Sequence, residues 1–81
     1  MIDLRQFRQF IAVAETLSFR RAAERLHMAQ PPLSAAIRKL EDELGVMLLA
    51  RDNRGTALTP AGDAFLLEAR RALEQAERAM I

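Results

Sequence analysis

Apolar residues recur at helical spacing in four blocks along this chain, and the blocks differ in what lies opposite the apolar stripe. In the first, Leu4, Phe7, Phe10, Ile11 and Ala14 share a face, and Asp3 with Gln6 has the spacing of a capping box. In the second, Phe19, Ala22, Ala23 and Leu26 follow Ser18, a favoured N-cap residue. The Thr16-Leu17 step between these blocks leaves room only for a tight turn. The third block places Leu33, Ile37, Leu40 and Leu44 at intervals of four, three and four residues, the stripe of an amphipathic helix. Pro31 and Pro32 fall in its first turn, where a backbone N–H has no intrahelical partner to lose. Ala29 at the N-cap offers no acceptor and costs about 0.5–2 kcal/mol relative to serine. Gly45 follows the stripe and suits the left-handed conformation that closes a helix.

After Gly45 the texture changes. Val46–Arg51 and Thr56–Leu58 flank Asp52-Asn53-Arg54-Gly55, which reads as a short hairpin with a positive φ at Gly55. Thr59 then caps a long last helix with Pro60 at its first position, and Gly62, Leu66, Ala69, Leu73, Ala76 and Met80 alternate spacings of four and three. Three helices, a hairpin and a fourth helix predict a mainly α fold. The order is that of a winged helix-turn-helix over residues 1–58 with a long linker helix over 59–81.

Composition sharpens this picture in one respect. The net charge is only +1, so a generic polyanion binder is disfavoured. Residues 18–39, however, carry Arg20, Arg21, Arg25, Arg38 and Lys39 against Glu24 alone, a local balance of +4. Residues 59–81 carry Arg70, Arg71 and Arg78 against Asp63, Glu68, Glu74 and Glu77, a balance of −1. One electrostatic face is expected, in the middle of the chain. The absence of cysteine excludes disulfides and thiolate metal sites, and His27 alone makes no metal centre. No metal and no cofactor are expected. Neither a membrane-spanning run nor a signal peptide is legible, and a cytoplasmic protein is the expectation. No nucleophile–base set, paired-carboxylate pocket or phosphate-cradling glycine loop points to an enzyme.

The third helix carries the chemistry. At 100° per residue its polar face shows Pro31, Ala35, Arg38 and Asp42, with Gln30 and Ser34 on the flank. A small, amide-bearing, basic outer half of this kind can enter a DNA major groove.

At this level of detail the chain resembles the N-terminal domain of LysR-type transcriptional regulators. The resemblance rests on Phe10-Ile-Ala-Val-Ala-Glu15 with Ser18-Phe19, on Ala22-Ala23 and Leu26, and on Arg51 with Leu58-Thr59 and Ala61-Gly62. Its most specific piece is Gln30-Pro31, Ser34, Ile37, Leu40-Glu41, Leu44-Gly45 and Leu48. Departures are Ala29 where serine is frequent, Ala35 and Ala36 where longer polar side chains are frequent, Leu49 for phenylalanine and Ala50 for an acid. The resemblance implies a dimeric, sequence-specific bacterial transcription factor. It also implies a C-terminal effector domain that is not present in these 81 residues, so that the chain is expected to stop within a helix at Ile81.

The expected base-contacting residues are Gln30, Pro31, Ser34, Ala35 and Arg54. Gln30 can bond bidentately to adenine, or stand as a solvated first-turn residue. Ser34 can reach a base or phosphate, or bond back to the carbonyl four residues earlier. Pro31 and Pro32 can touch a thymine methyl or serve only to shape the first turn. Arg54, at the hairpin tip, can enter a narrow A·T-rich minor groove or remain a mobile tip residue. Arg20, Arg21, Pro32, Arg38, Lys39, Arg51 and Thr59 are expected at the DNA backbone, where contacts set affinity and not sequence choice. Arg25 is read as part of a solvated face, and His27 as packing at a helix end.

Leu66, Ala69, Leu73, Ala76 and Met80 form either ordinary core or a helix-pairing seam. The first turn of the last helix is expected to pack on the domain and its last two turns to extend past anything else in the chain, so a homodimer through this helix is the favoured reading. The expected partner is a double-stranded, inverted-repeat operator. The rival reading is a winged-helix module that binds protein instead.

Overall fold

The computed structural model describes residues 2–80, so the expectation for Ile81 lies outside the described residues. The elements are α1 (Leu4–Thr16), α2 (Phe19–Leu26), α3 (Gln30–Leu44), β1 (Leu49–Asp52), β2 (Gly55–Leu58) and α4 (Pro60–Ala79). Their order is the predicted one, and each helix starts where its capping residue stands. Asp3 accepts from Gln6 N–H while Gln6 Oε1 accepts from Asp3 N–H, closing the capping box. Ser18 Oγ accepts from Arg21 N–H at 3.1 Å, and Thr59 Oγ1 from Gly62 N–H at 3.0 Å. The two connections, Leu17–Ser18 and His27–Ala29, each begin with a left-handed residue: Leu17 at φ 51° after α1, and His27 at φ 55° after α2.

The core lies between α1, α2 and α3. Phe10, Val13, Leu33, Leu40 and Leu48 are its largest fully buried side chains. The stripe of α3 is buried as predicted at Leu33, Ile37 and Leu40, with Leu44 at its edge. In α1, the inner face is centred on Phe10, Ala12, Val13 and Ala14, whereas Leu4, Phe7 and Ile11 are half-buried.

The hairpin is shorter at its start than the sequence suggests. β1 begins at Leu49, not Val46, and pairs antiparallel with β2 from Leu49–Leu58 to Asp52–Gly55. The reason is Glu41. Its carboxylate, only 8% exposed, accepts the N–H of Leu48 at 2.8 Å and that of Leu49 at 3.2 Å. Those donors cannot then extend a ladder. Gly55 has the expected positive φ, 125°.

The fourth helix packs further along its length than its first turn. Phe65 meets Phe7 and Phe10 edge-on with ring centroids 5.7 and 5.2 Å apart, Leu66 lies against the core, and Ala69 is 1% exposed. Close approach at the helix start requires Gly62, where a Cβ would overlap the carbonyl oxygen of Leu48. At 1.5 Å per residue the 20-residue α4 spans about 30 Å, against about 20 Å for α1, so its last turns run beyond the body. The 43 Å long axis of the molecule reflects that projection. Among the described residues no helix is long and apolar enough to cross a membrane.

Candidate nucleic-acid interface

The approach to α3 is fixed by a Schellman turn. His27 N–H bonds to Glu24 O at 3.2 Å and Met28 N–H to Ala23 O at 3.0 Å, which reverses the chain into Ala29. Histidine in the left-handed region is uncommon, and its exposed ring marks the helix end rather than the core. Ala29 provides no side-chain cap, and Pro31 and Pro32 sit in the first turn as expected.

The outer face of α3 carries Gln30, Pro31, Pro32, Ala35, Arg38 and Lys39 exposed, with Ser34 half-buried beside them. No hydrogen bond or ion pair among the described residues occupies the side chains of Gln30, Ser34, Arg38 or Lys39. The back-bond open to Ser34 is not made, in contrast to Thr16, whose hydroxyl donates to Ala12 O at 2.8 Å. The polar groups on this face are therefore available to something outside the chain.

Three elements meet beside that face. Ser34 and Arg38 of α3 line a groove with Phe19 of α2, with Met47 of the connection after α3 and with Arg51 of β1. The Arg51 guanidinium lies 3.9 Å from the Phe19 ring centroid, so the aromatic face, not a carboxylate, holds this cation in place. This contact puts Arg51 next to the N-terminus of α2, where Arg20 and Arg21 are exposed. Arg20 bonds to Glu24 at 3.3 Å; both groups are well exposed, and such a pair contributes little and exchanges readily for another anion. Arg21 has no acidic partner among the described residues.

Cations elsewhere are treated differently. Arg71 and Arg78 of α4 each pair with a glutamate of the same helix at 2.9 Å. Arg70 bonds Glu15 at 2.9 Å, and Arg25 bonds the same carboxylate at 2.6 Å. The reading of Arg25 as a solvated residue is thus corrected: it joins α2 to α1, and Glu15 ties both to α4. The Arg70 hydrogen bond, aided by Arg25 and opposed by burial, holds the Glu15 carboxyl below the usual carboxylate range. The cations with no acidic partner among the described residues include Arg21, Arg38 and Arg51, on the side of α2, α3 and β1. These cations lie beside the exposed face of α3.

Arg54 stands at the hairpin tip with its side chain 92% exposed, held only by a 3.8 Å contact to Asp52. Its backbone N–H donates to Asp52 Oδ1 at 2.7 Å, so the turn is fixed while the guanidinium is free to reach outward. Thr59 is placed otherwise. Its hydroxyl donates to Met47 O at 2.6 Å and its N–H to Leu48 O at 3.0 Å, so a phosphate would have to displace one of these bonds.

The expected seam on α4 divides. Ala69 is corrected: buried against the chain's own core, it presents no surface to a second chain. Leu66 is half-buried and also packs on the core. Leu73 and Ala76 are half-buried and Met80 is 81% exposed, which leaves the outer end of the stripe uncovered. Two residues that shape the interface escape sequence reading. Glu41 couples α3 to the hairpin, a role that its place in the Leu40-Glu41 step of the motif does not reveal. Phe19 reads as core, and nothing in the sequence reveals that its ring face lies under Arg51.

Comparison with known proteins gives the same assignment throughout. Residues 4–63 match the family described as bacterial regulatory helix-turn-helix protein, lysR family. The chain is 55% identical over 80 residues to the Hca operon transcriptional activator HcaR of Escherichia coli K12, covering 99% of this chain and 27% of that protein. It is 52% identical over 77 residues to the regulator TcbR of Pseudomonas sp. strain P51, covering 95% of this chain and 26% of that one. The chain thus spans about a quarter of the length of these relatives. Its fold superposes on the DNA-binding domain of CbnR in complex with DNA with a TM-score of 0.92 at 51% identity, covering 96% of this chain and 90% of that one. On the BenM DNA-binding domain with catB site 1 DNA the TM-score is 0.94 at 43% identity, covering 98% and 89%. The chain belongs to the lysR family of bacterial regulatory helix-turn-helix proteins.

Proposed function

We propose that this chain is the DNA-binding part of a LysR-type transcriptional regulator that docks as a dimer on an inverted-repeat operator. Residues 1–58 form the winged helix-turn-helix and residues 59–81 the linker helix. The observation that carries the reading is the exposed face of α3, where Gln30, Ser34, Arg38 and Lys39 make no side-chain hydrogen bond or ion pair among the described residues, beside Arg21 and Arg51, which have no acidic partner there. α3 enters the major groove, where Gln30 and Ser34 face base edges and Pro31 and Ala35 supply the close apolar contact. Arg20, Arg21, Arg38, Lys39 and Arg51 lie at phosphates, together with the small first-turn surface of Pro32. Arg54 extends from the hairpin toward the minor groove. Relatives of similar fold are recorded in complexes with DNA, which supports the same ligand here.

Leu73, Ala76 and Met80 pair with a second copy and thereby tie two half-sites together. An effector domain follows in the full regulator, the molecule works in the bacterial cytoplasm, and no catalytic step is assigned to it. Selection of bound sites from a random duplex pool tests the reading. A pair of inverted half-sites is expected; recovery of no enriched sequence would contradict sequence-specific binding.

A further inference from the structure

Arg5 and Arg8 on α1 are two exposed cations that neither the core nor the proposed groove contacts account for. Around α3, two surfaces flank the outward face. Ser34, Arg38 and Glu41 border the groove shared with Phe19, Met47 and Arg51. Ala36 and Lys39 border a separate hollow shared with Asp3, Arg5, Gln6 and Gln9. At 100° per residue these two borders lie about 160° apart on α3, with Pro31, Ala35 and Asp42 between them. A second hollow continues the same side along α1, from Arg5 and Arg8 to Leu26 and Met28. Arg5, Arg8 and Lys39 therefore line one edge of the recognition helix, and Arg51 with the start of α2 the other.

The arginines on this edge have no ion pair among the described residues. Lys39 makes no ion-pair contact there either, although the Gln6 hydrogen bond and, in lesser part, the Lys39 charge hold the Glu43 carboxyl below the usual carboxylate range. Of the neighbouring acids, Asp3 is engaged in the α1 cap, and Glu43 accepts from Gln6 Nε2 at 3.1 Å. Arg5 is moreover in the first turn of α1, which holds no acidic residue. A cation there opposes the helix dipole and weakens the helix. The fold itself gains nothing from Arg5 at this position, so its charge is better explained by an external anion.

We infer that Arg5 and Arg8 of α1, with Lys39 of α3, form a second phosphate-binding edge. This edge grips the DNA strand on the side of the recognition helix away from Arg51 and the wing. The inference rests on the DNA-binding reading above. It follows from dimensions: a helix with its side chains is about 10–12 Å across, and the major groove is about 12 Å wide. A helix seated in that groove has a phosphate wall within side-chain reach on each flank. Cations on both flanks then fix its depth and tilt without reading sequence.

The test is the salt dependence of binding to the selected operator and to a scrambled duplex, for the 81-residue chain and its Arg5→Gln/Arg8→Gln variant. The slope of log affinity against log salt is expected to fall by about one unit per arginine removed in each bound protomer, equally on both duplexes. The melting temperature should stay the same or rise, because Arg5 opposes the helix dipole. Arg5→Lys/Arg8→Lys should restore the slope. An unchanged slope in the glutamine variant overturns the inference, and so does lost binding that the lysine variant fails to restore. Absence of steep salt dependence in the unaltered chain would instead overturn the DNA-binding reading itself.

Discussion

The Glu41 carboxylate accepts the backbone N–H of Leu48 at 2.8 Å from within the core, and the same oxygen takes Leu49 N–H at 3.2 Å. One side chain of α3 thus sets where the hairpin starts and how it is aimed. Removing the acceptor strands two buried donors, each costing about 1–3 kcal/mol. Glu41→Ala is expected to lose about 2–4 kcal/mol in urea unfolding, by the same unmet donors. Glu41→Gln keeps an amide oxygen there and should lose about 1 kcal/mol, the difference between a charged and a neutral acceptor. Equal losses would show that the acceptor is not what matters.

Gly62 is in a helix, where alanine ordinarily stabilises by about 0.5–1 kcal/mol. Here a Cβ would overlap the carbonyl oxygen of Leu48, which is also bonded to Thr59 N–H. Overpacking against backbone costs about 1–3 kcal/mol and outweighs the helical gain. Gly62→Ala should therefore lower the thermal midpoint, and a raised midpoint would mean that α4 can shift away freely.

Glu15 ties α1 to α2 and α4 through Arg25 and Arg70. Its folded-state pKa is lowered, chiefly by the Arg70 hydrogen bond, so the unfolded chain binds its proton more readily. The stability it supplies is present above the ordinary carboxylate pKa of 4.5 and disappears as pH falls through the lowered folded value. Partly exposed pairs of this type contribute about 0.2–1 kcal/mol each. Glu15→Gln should accordingly cost about 1 kcal/mol at neutral pH and nothing below the folded-state pKa. Denaturant melts of both proteins across pH 2–7 check this (a range set by the carboxylate pKa values), and a gap that persists undiminished at the acid end would remove the ion pairs from the account.

Ala76 is half-buried and lies two turns beyond Ala69, the last buried residue of α4. A carboxylate there is tolerable on a single chain but costs several kcal/mol in a dry interface between two. Ala76→Glu is expected to yield a folded monomer with weakened operator binding. Sedimentation of the unaltered chain as a monomer at high concentration would contradict pairing through this helix.

Much of this architecture is legible in the sequence because it is local. Asp3, Ser18, Thr59 and Gly45 act on backbone groups within three or four residues, and Leu33, Ile37 and Leu40 announce their face by spacing alone. What escapes depends on a partner remote in sequence. The acceptor role of Glu41 emerges only when Leu48 returns over it, the need for Gly62 only when the same residue meets it, and the ion pair of Arg25 only when Glu15 is beside it. The seam on α4 shows the same limit: periodicity identifies Ala69 and Met80 as one stripe, and only the fold shows that the first is buried and the second exposed.

The central claim is that α3 reads bases and the cations around it do not, and comparing Gln30→Ala with Arg38→Ala tests it most directly. Fluorescence anisotropy titrations would use the selected operator and a scrambled duplex at several salt concentrations. Gln30→Ala should lose about 1–3 kcal/mol on the operator and almost nothing on the scrambled duplex, with its salt slope intact. Arg38→Ala should weaken both and lower the slope by about one unit. Equal loss on both duplexes for Gln30→Ala would contradict the assignment of α3 as the reading helix.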